Sequence, residues 1–209
     1  MPMNRETYHH GQLREALITA ADELLHERGI EGFSLRKAAA RAGVSPGAPA
    51  HHFKSVNGLL TAVAVLSLDE LAERMRAVST DLSLAEQLRE LASVYVRYSM
   101  EYPGRLQIIY RRAVVDRTDP DFNRASAEAF GQFFASAARY HGEPVPDRET
   151  GAETHPQLLL DYATLQGMAL TAVEGNWCFT VSRDDPQGDF LGRVLPMLVE
   201  ARWPEQPAA

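Results

Sequence analysis

Seven histidines and 28 acidic residues give this 209-residue chain many pairs that could share a proton or hold a metal. None stands in an arrangement that does chemistry. No two histidines lie four positions apart on one helical face, and there is no glycine-rich phosphate loop and no nucleophile elbow. The reading is therefore not an enzyme, with no metal and no cofactor expected. The residues whose type and spacing point to a task are basic: Arg36, Lys37 and Arg41 fall within six positions. Clustered guanidinium and ammonium groups are what a polyanion requires, because neutralising phosphates releases their counterions.

The total charge of −7 opposes nucleic-acid binding, but its distribution does not. Residues 1–60 carry seven Lys and Arg against six acids, so the other 149 residues hold −8. A near-neutral N-terminal part joined to an acidic body suits a chain whose two ends have different partners. With 45% hydrophobic residues the chain can build a substantial core without staples. Leu, Ala, Glu and Arg dominate and no alternating β-branched runs occur, which predicts an all-α fold. No apolar run reaches the length of a membrane span, and the first residues carry no apolar signal region, so a cytoplasmic protein is expected. The single cysteine, Cys178, lies in an apolar stretch and reads as a buried thiol.

The elements that must position the basic cluster follow from periodicity. Leu13, Ala16, Leu17, Ala20, Ala21, Leu24 and Leu25 recur at three and four, the mark of an amphipathic helix, and Gly29 ends it. Ser34 caps a second, short helix with Leu35, Ala38, Ala39 and Ala42 inward, and Gly43 closes it. Ser45 and Pro46 read as the cap and first residue of a third helix anchored by Phe53. Pro49 cannot donate the first intrahelical bond and disfavours helical geometry at Ala48, so a distorted first turn is expected. A long fourth helix follows Asn57 and Gly58. Further helices are predicted at about 84–101, 103–115, 121–141, 156–180 and 186–202, with a surface loop from Gly142 to Pro156. The division expected is 1–57 and 58–209.

Two short helices joined by a tight glycine turn have the geometry of a helix-turn-helix, here spanning residues 34 to 52. In that motif the later helix enters the major groove and its N-terminal residues, here Ser45, Pro46, Gly47 and Ala48, touch base edges. Spacing alone leaves open any pair of packed helices with a glycine turn.

The stretch Leu13 to Val65 resembles the N-terminal domain of the tetracycline-repressor (TetR) family. The likeness rests on Gly29, on Phe33-Ser34-Leu35, on Ala39, on Ala42-Gly43-Val44-Ser45, on His52-Phe53-Lys54 and on Leu59-Leu60. The lead-in Tyr8-His9-His10-Gly11-Gln12-Leu13-Arg14 and the block Ser45-Pro46-Gly47-Ala48-Pro49 resemble a subfamily named for a C-terminal Trp-His-Gly motif. Thr164-Leu165-Gln166-Gly167 would take that motif's place, without its Trp and His. The resemblance implies double-stranded operator DNA as partner, with Arg36 as a base or phosphate contact and Lys37 as a second candidate. Ser45, Pro46, Gly47 and Ala48 would face the groove, and His51, His52 and Lys54 would lie near phosphates. Adjacent helical residues do not share a face, so one of the two histidines is expected to be structural. Ala50 stands where the family commonly has a tyrosine that touches phosphate.

The resemblance further implies a repressor that leaves its operator when a small molecule binds, and a homodimer. For the pocket, Tyr98, Tyr110, Phe133, Met168 and Trp177 are the candidates, at positions that also suit a plain core. For the dimer interface, the apolar surround of segment 156–180 and the face of 186–202 put forward Leu159, Tyr162, Leu170, Phe190, Val194 and Leu198. The competing reading, drawn from Ala50 and the acidic charge, is a helical ligand-binding or protein-interaction module with lost or altered DNA binding.

Overall fold

The computed structural model describes residues 5–145, 155–175, 181–182 and 184–205, with side chains from Gln12 onward. Among them there are helices and no strands. In chain order these are α1 (Arg5–Arg28), a 3-10 turn Ile30–Gly32, α2 (Leu35–Arg41), α3 (Ala48–Phe53), α4 (Val56–Arg76), α5 (Leu84–Glu101) and α6 (Pro103–Tyr110). Then come α7 (Pro120–His141), α8 (Pro156–Glu174), α9 (Pro186–Asp189), a π-helical turn Phe190–Val194 and α10 (Leu195–Arg202). The chain packs as two compact units, one made of residues up to Asp69 together with Tyr102–Ser126, the other of Glu70–Glu101 with the remainder from Ala127.

In the first unit α1 buries Leu17, Ala21 and Leu25, the stripe its periodicity marks out. α6 lies against α1 because Gly104 has no side chain: a Cβ there would run into the Leu25 carbonyl. Arg105, 7% exposed, then reaches Asp22 of α1 with two hydrogen bonds, Nε to Oδ1 at 2.7 Å and Nη2 to Oδ2 at 2.5 Å. Tyr102 covers the guanidinium, its ring centroid 4.0 Å away.

α6 stops at Tyr110, short of the 115 expected, because Arg111 turns extended. The backbone that follows is held by α4: Asn57 Nδ2 donates to the Ala113 carbonyl at 3.0 Å, and the Asp116 amide donates to Thr61 Oγ1 at 2.9 Å. Backbone groups satisfied in this way have no need of a helix.

In the second unit Tyr95, Phe133, Leu158, Leu165 and Phe190 are core. Asp161 of α8 has no exposed surface, and three groups converge on it. Trp203 Nε1 donates at 2.8 Å, His141 Nε2 lies at 2.8 Å, and Arg202 Nη2 lies at 2.7 Å. Trp203, wholly buried, stacks edge-on to Phe133, and its carbonyl accepts from Arg89 Nε at 2.8 Å. This carboxylate joins the C-terminus of α10 to α8 and to the end of α7. α8 ends at Glu174, where Gly175 takes a left-handed conformation (φ 66°) that a Cβ would strain. The helix is thus shorter than the 156–180 predicted, and residues 176–180, with Trp177 and Cys178, lie outside the described residues.

Candidate nucleic-acid interface

The helix-turn-helix is built from local rules. Ser34 Oγ accepts the Lys37 amide at 3.3 Å, capping α2 as its position predicts. At the other end Gly43 (φ 70°) lets the chain reverse: its amide donates to the Ala40 carbonyl and the Val44 amide to the Ala39 carbonyl. These two bonds are the Schellman arrangement that satisfies the orphan carbonyls of a helix end. Ala38 and Ala39, 0% and 1% exposed, set α2 close to α1. Across that contact Arg41 forms a fork with Glu27, at 2.7 and 2.6 Å. The bond from Arg41 holds the Glu27 carboxyl below its ordinary range, and Glu27 in turn raises the guanidinium.

The third helix departs from expectation. Ser45 does not cap it; α3 begins at Ala48, behind a turn closed by the Ala48 amide donating to the Ser45 carbonyl at 3.0 Å. A helix started at Ser45 would need its first bond from Pro49, which has no N–H. Beginning two residues later, at Ala48 with Gly47 as its cap, puts Pro49 in the first turn, where no intrahelical donor is required. The expected distortion is therefore resolved as a late start, and α3 is six residues long. Its exit is tight: Lys54 has φ 63°, the Ser55 amide donates to the Phe53 carbonyl at 2.6 Å, and Gly58 packs so close to that carbonyl that a Cβ would clash. Ser55 Oγ then accepts the Gly58 amide at 3.0 Å, opening α4.

This frame presents a set of exposed groups. Ser45, Pro46, Gly47, Ala50, His51 and Lys54 are exposed, and Ala48 and His52 are half-buried. The His52 ring packs 6.3 Å from that of Phe53, and Phe53, 7% exposed, lies under the Arg14 guanidinium. Of the basic trio, Arg41 is committed to Glu27, and Lys37 Nζ bends back to the Gly32 carbonyl at 2.8 Å. Arg36 is exposed and, among the described residues, has no hydrogen-bond or ion-pair partner. The turn, the first residues of α3 and Arg36 thus form a surface of small and cationic groups on a rigid support.

Residues 17–63 match a protein-family model described as "Bacterial regulatory proteins, tetR family". The chain thus carries a segment of the TetR family over 47 of its 209 residues. It is 24% identical over 109 residues to the HTH-type transcriptional regulator YobS of Bacillus subtilis (strain 168), itself described as uncharacterized. That match covers 52% of this chain and 57% of the YobS length. Three of the solved structures that share the fold of this chain are the following. A protein of unknown function from Rhodococcus sp. RHA1 gives a TM-score of 0.70 at 22% identity, covering 94% of this chain and 96% of the other. A transcriptional regulator from the same Rhodococcus gives 0.62 at 22%, covering 90% and 94%. A TetR transcriptional regulator from Streptomyces coelicolor gives 0.52 at 22%, covering 92% and 99%.

The other candidate residues divide between the two units. Tyr98, Phe133 and Met168 are buried in the second, and Tyr110 lies half-buried in the first. Tyr95 donates to Gln166 Oε1 at 2.8 Å, so the residue in place of the motif histidine is a core hydrogen-bond partner. Leu159, Leu170 and Leu198 are 54%, 57% and 40% exposed, Tyr162 and Val194 are half-buried, and Phe190, at 2%, backs the helices from inside its own chain. Leu160 and Met197, not foreseen, are exposed as well. The sequence signal for Leu160 was the run Leu158-Leu159-Leu160, too apolar for one face of a helix.

Proposed function

We propose that this protein is a sequence-specific DNA-binding transcriptional regulator, acting as a homodimeric repressor that leaves its operator when a small molecule binds. The observation that carries the reading is the family-matched helix-turn-helix, in which Ala38, Ala39 and Phe53 are buried while Arg36 and residues 45–47 and 50–51 stand exposed. Small side chains on the first turn of α3 let its backbone approach base edges, and Arg36 supplies a guanidinium that can fork onto a guanine. Fluorescence anisotropy with the full-length protein and promoter DNA from beside its gene tests this. Saturable binding that random duplex does not match supports it; equal, weak binding to both would leave a helical module without operator recognition. Arg36→Ala should weaken specific binding by roughly 1 to 3 kcal/mol at fixed salt. Unchanged affinity would make Arg36 a solvated surface residue.

Dimerisation through α8 and α10 is supported by the apolar side chains they expose, Leu159, Leu160, Leu170, Met197 and Leu198. Exposed apolar groups at this density signal a covered surface, and a two-fold axis would pair the face with itself. Leu170→Glu puts a charge into that contact, so light scattering should show the mass halved at micromolar concentration. A variant that keeps the wild-type mass would remove Leu170 from the interface.

A further inference from the structure

The α6–α7 connection belongs to the same compact unit as the helix-turn-helix, and it is tied to that motif at two points. At the motif's entry, Arg111 Nη1 donates to Glu31 Oε1 at 2.7 Å, beside the Gly32 carbonyl that Lys37 Nζ holds from α2. At its exit, the Ala113 carbonyl accepts from Asn57 Nδ2 at 3.0 Å, three residues beyond Lys54. Arg112 lies between the two tethers. It is exposed and, among the described residues, has no hydrogen-bond or ion-pair partner.

The other arginines of the segment are all engaged. Arg105 forks onto Asp22, Arg111 holds Glu31, Arg117 Nη2 donates to the Ile109 carbonyl, and Arg124 forks onto Asp69. Charge points the same way. The first unit, with this segment included, carries twelve Lys and Arg against ten acids, whereas the second carries nine against eighteen. The excess of cations is confined to the unit that holds the helix-turn-helix, and Arg112 is a part of it that pairs with no carboxylate among the described residues.

We propose that Arg112 contacts the phosphate backbone of bound duplex DNA, an electrostatic contact supplied from outside the helix-turn-helix by the α6–α7 connection. This rests on the DNA-binding reading above. A phosphate contact positions the protein without reading sequence, so Arg112 strengthens cognate and random duplex alike. It also releases counterions, and each phosphate so neutralised steepens the dependence of log affinity on log salt by roughly 0.9.

The test uses the full-length protein, a duplex enriched by that protein from a random library, and a scrambled duplex of the same length, titrated across a salt series. Arg112→Gln should weaken both duplexes several-fold at low salt, leave their ratio unchanged, and flatten the slope by roughly 0.9 per bound protomer. Arg112→Lys, which keeps the charge, should hold the wild-type slope. Slopes and affinities that match wild type in Arg112→Gln overturn the inference, as does a loss confined to the enriched duplex. Enrichment of no duplex by the wild-type protein overturns the DNA-binding reading itself, a result distinct from either.

Discussion

Arg105→Ala is expected to lower the unfolding free energy by about 3 kcal/mol, at the lower end of what breaking a buried ion pair costs. The lower end applies because the Asp22 side chain keeps 19% of its exposure and can recover some hydration, while Arg105 keeps 9%. What remains after the substitution is a carboxylate on α1 that has lost both hydrogen bonds of the guanidinium fork. A void under Tyr102 is left as well, where the guanidinium stacked. Urea unfolding at a fixed protein concentration measures the loss. Arg105→Lys should recover only part of it, since one ammonium cannot reproduce two parallel bonds. Replacing the pair together, Asp22→Leu with Arg105→Met, should cost much less than Arg105→Ala, because no charge is then left unpaired. A single substitution as mild as the double one would mean that the pair is solvated.

The second large effect belongs to Trp203. Removing a buried indole costs about 3–5 kcal/mol through lost apolar burial and the cavity it leaves. Here the same residue also donates to Asp161, which has no exposed surface and relies on Trp203, Arg202 and His141. Trp203→Ala should therefore fall at the upper end of that range. Trp203→Phe separates the two contributions: the ring stays against Phe133, but the Nε1–H donor is gone, and a buried polar group short of one partner costs about 1–3 kcal/mol. Equal losses for the two substitutions would assign the whole effect to the hydrogen bond. A Phe variant as stable as wild type would show that Arg202 and His141 suffice for Asp161.

These two sites mark what the sequence could and could not disclose. Ser34, Gly29, Gly43 and the apolar stripe of α1 act through neighbours within a few residues, so their roles were legible from spacing. The start of α3 was misplaced by two residues although Pro49 was recognised as an obstacle: a strong cap-and-proline signal at Ser45 and Pro46 outweighed a missing donor four positions on from the cap. Other features depend on partners far along the chain. Asp22 finds Arg105, Asn57 finds Ala113, and Asp161 finds His141 and Trp203 only once the helices have packed. No periodicity encodes such pairings. The one local hint was Asp161 itself, an acid in the apolar run from Leu158 to Tyr162. Of the interface candidates, Lys37 illustrates the same limit, since its reach back to Gly32 depends on how the 3-10 turn sits.

The chain passes between its two compact units three times, after Asp69, after Glu101 and after Ser126. The unit that holds the helix-turn-helix is therefore not a cassette that one cut can remove. A fragment ending at residue 57 or 69 would leave Asp22 facing no guanidinium, Asn57 without the Ala113 carbonyl and Thr61 without the Asp116 amide. A chimaera that transplants operator preference would have to carry the 102–126 stretch along with the N-terminal helices, or redesign both sides of each bond. The same threading bears on synthesis. The helix-turn-helix leaves the ribosome early, yet the unit around it stays incomplete until about residue 126 has followed, so that unit matures only after the second unit's first segment, Glu70–Glu101, has been made.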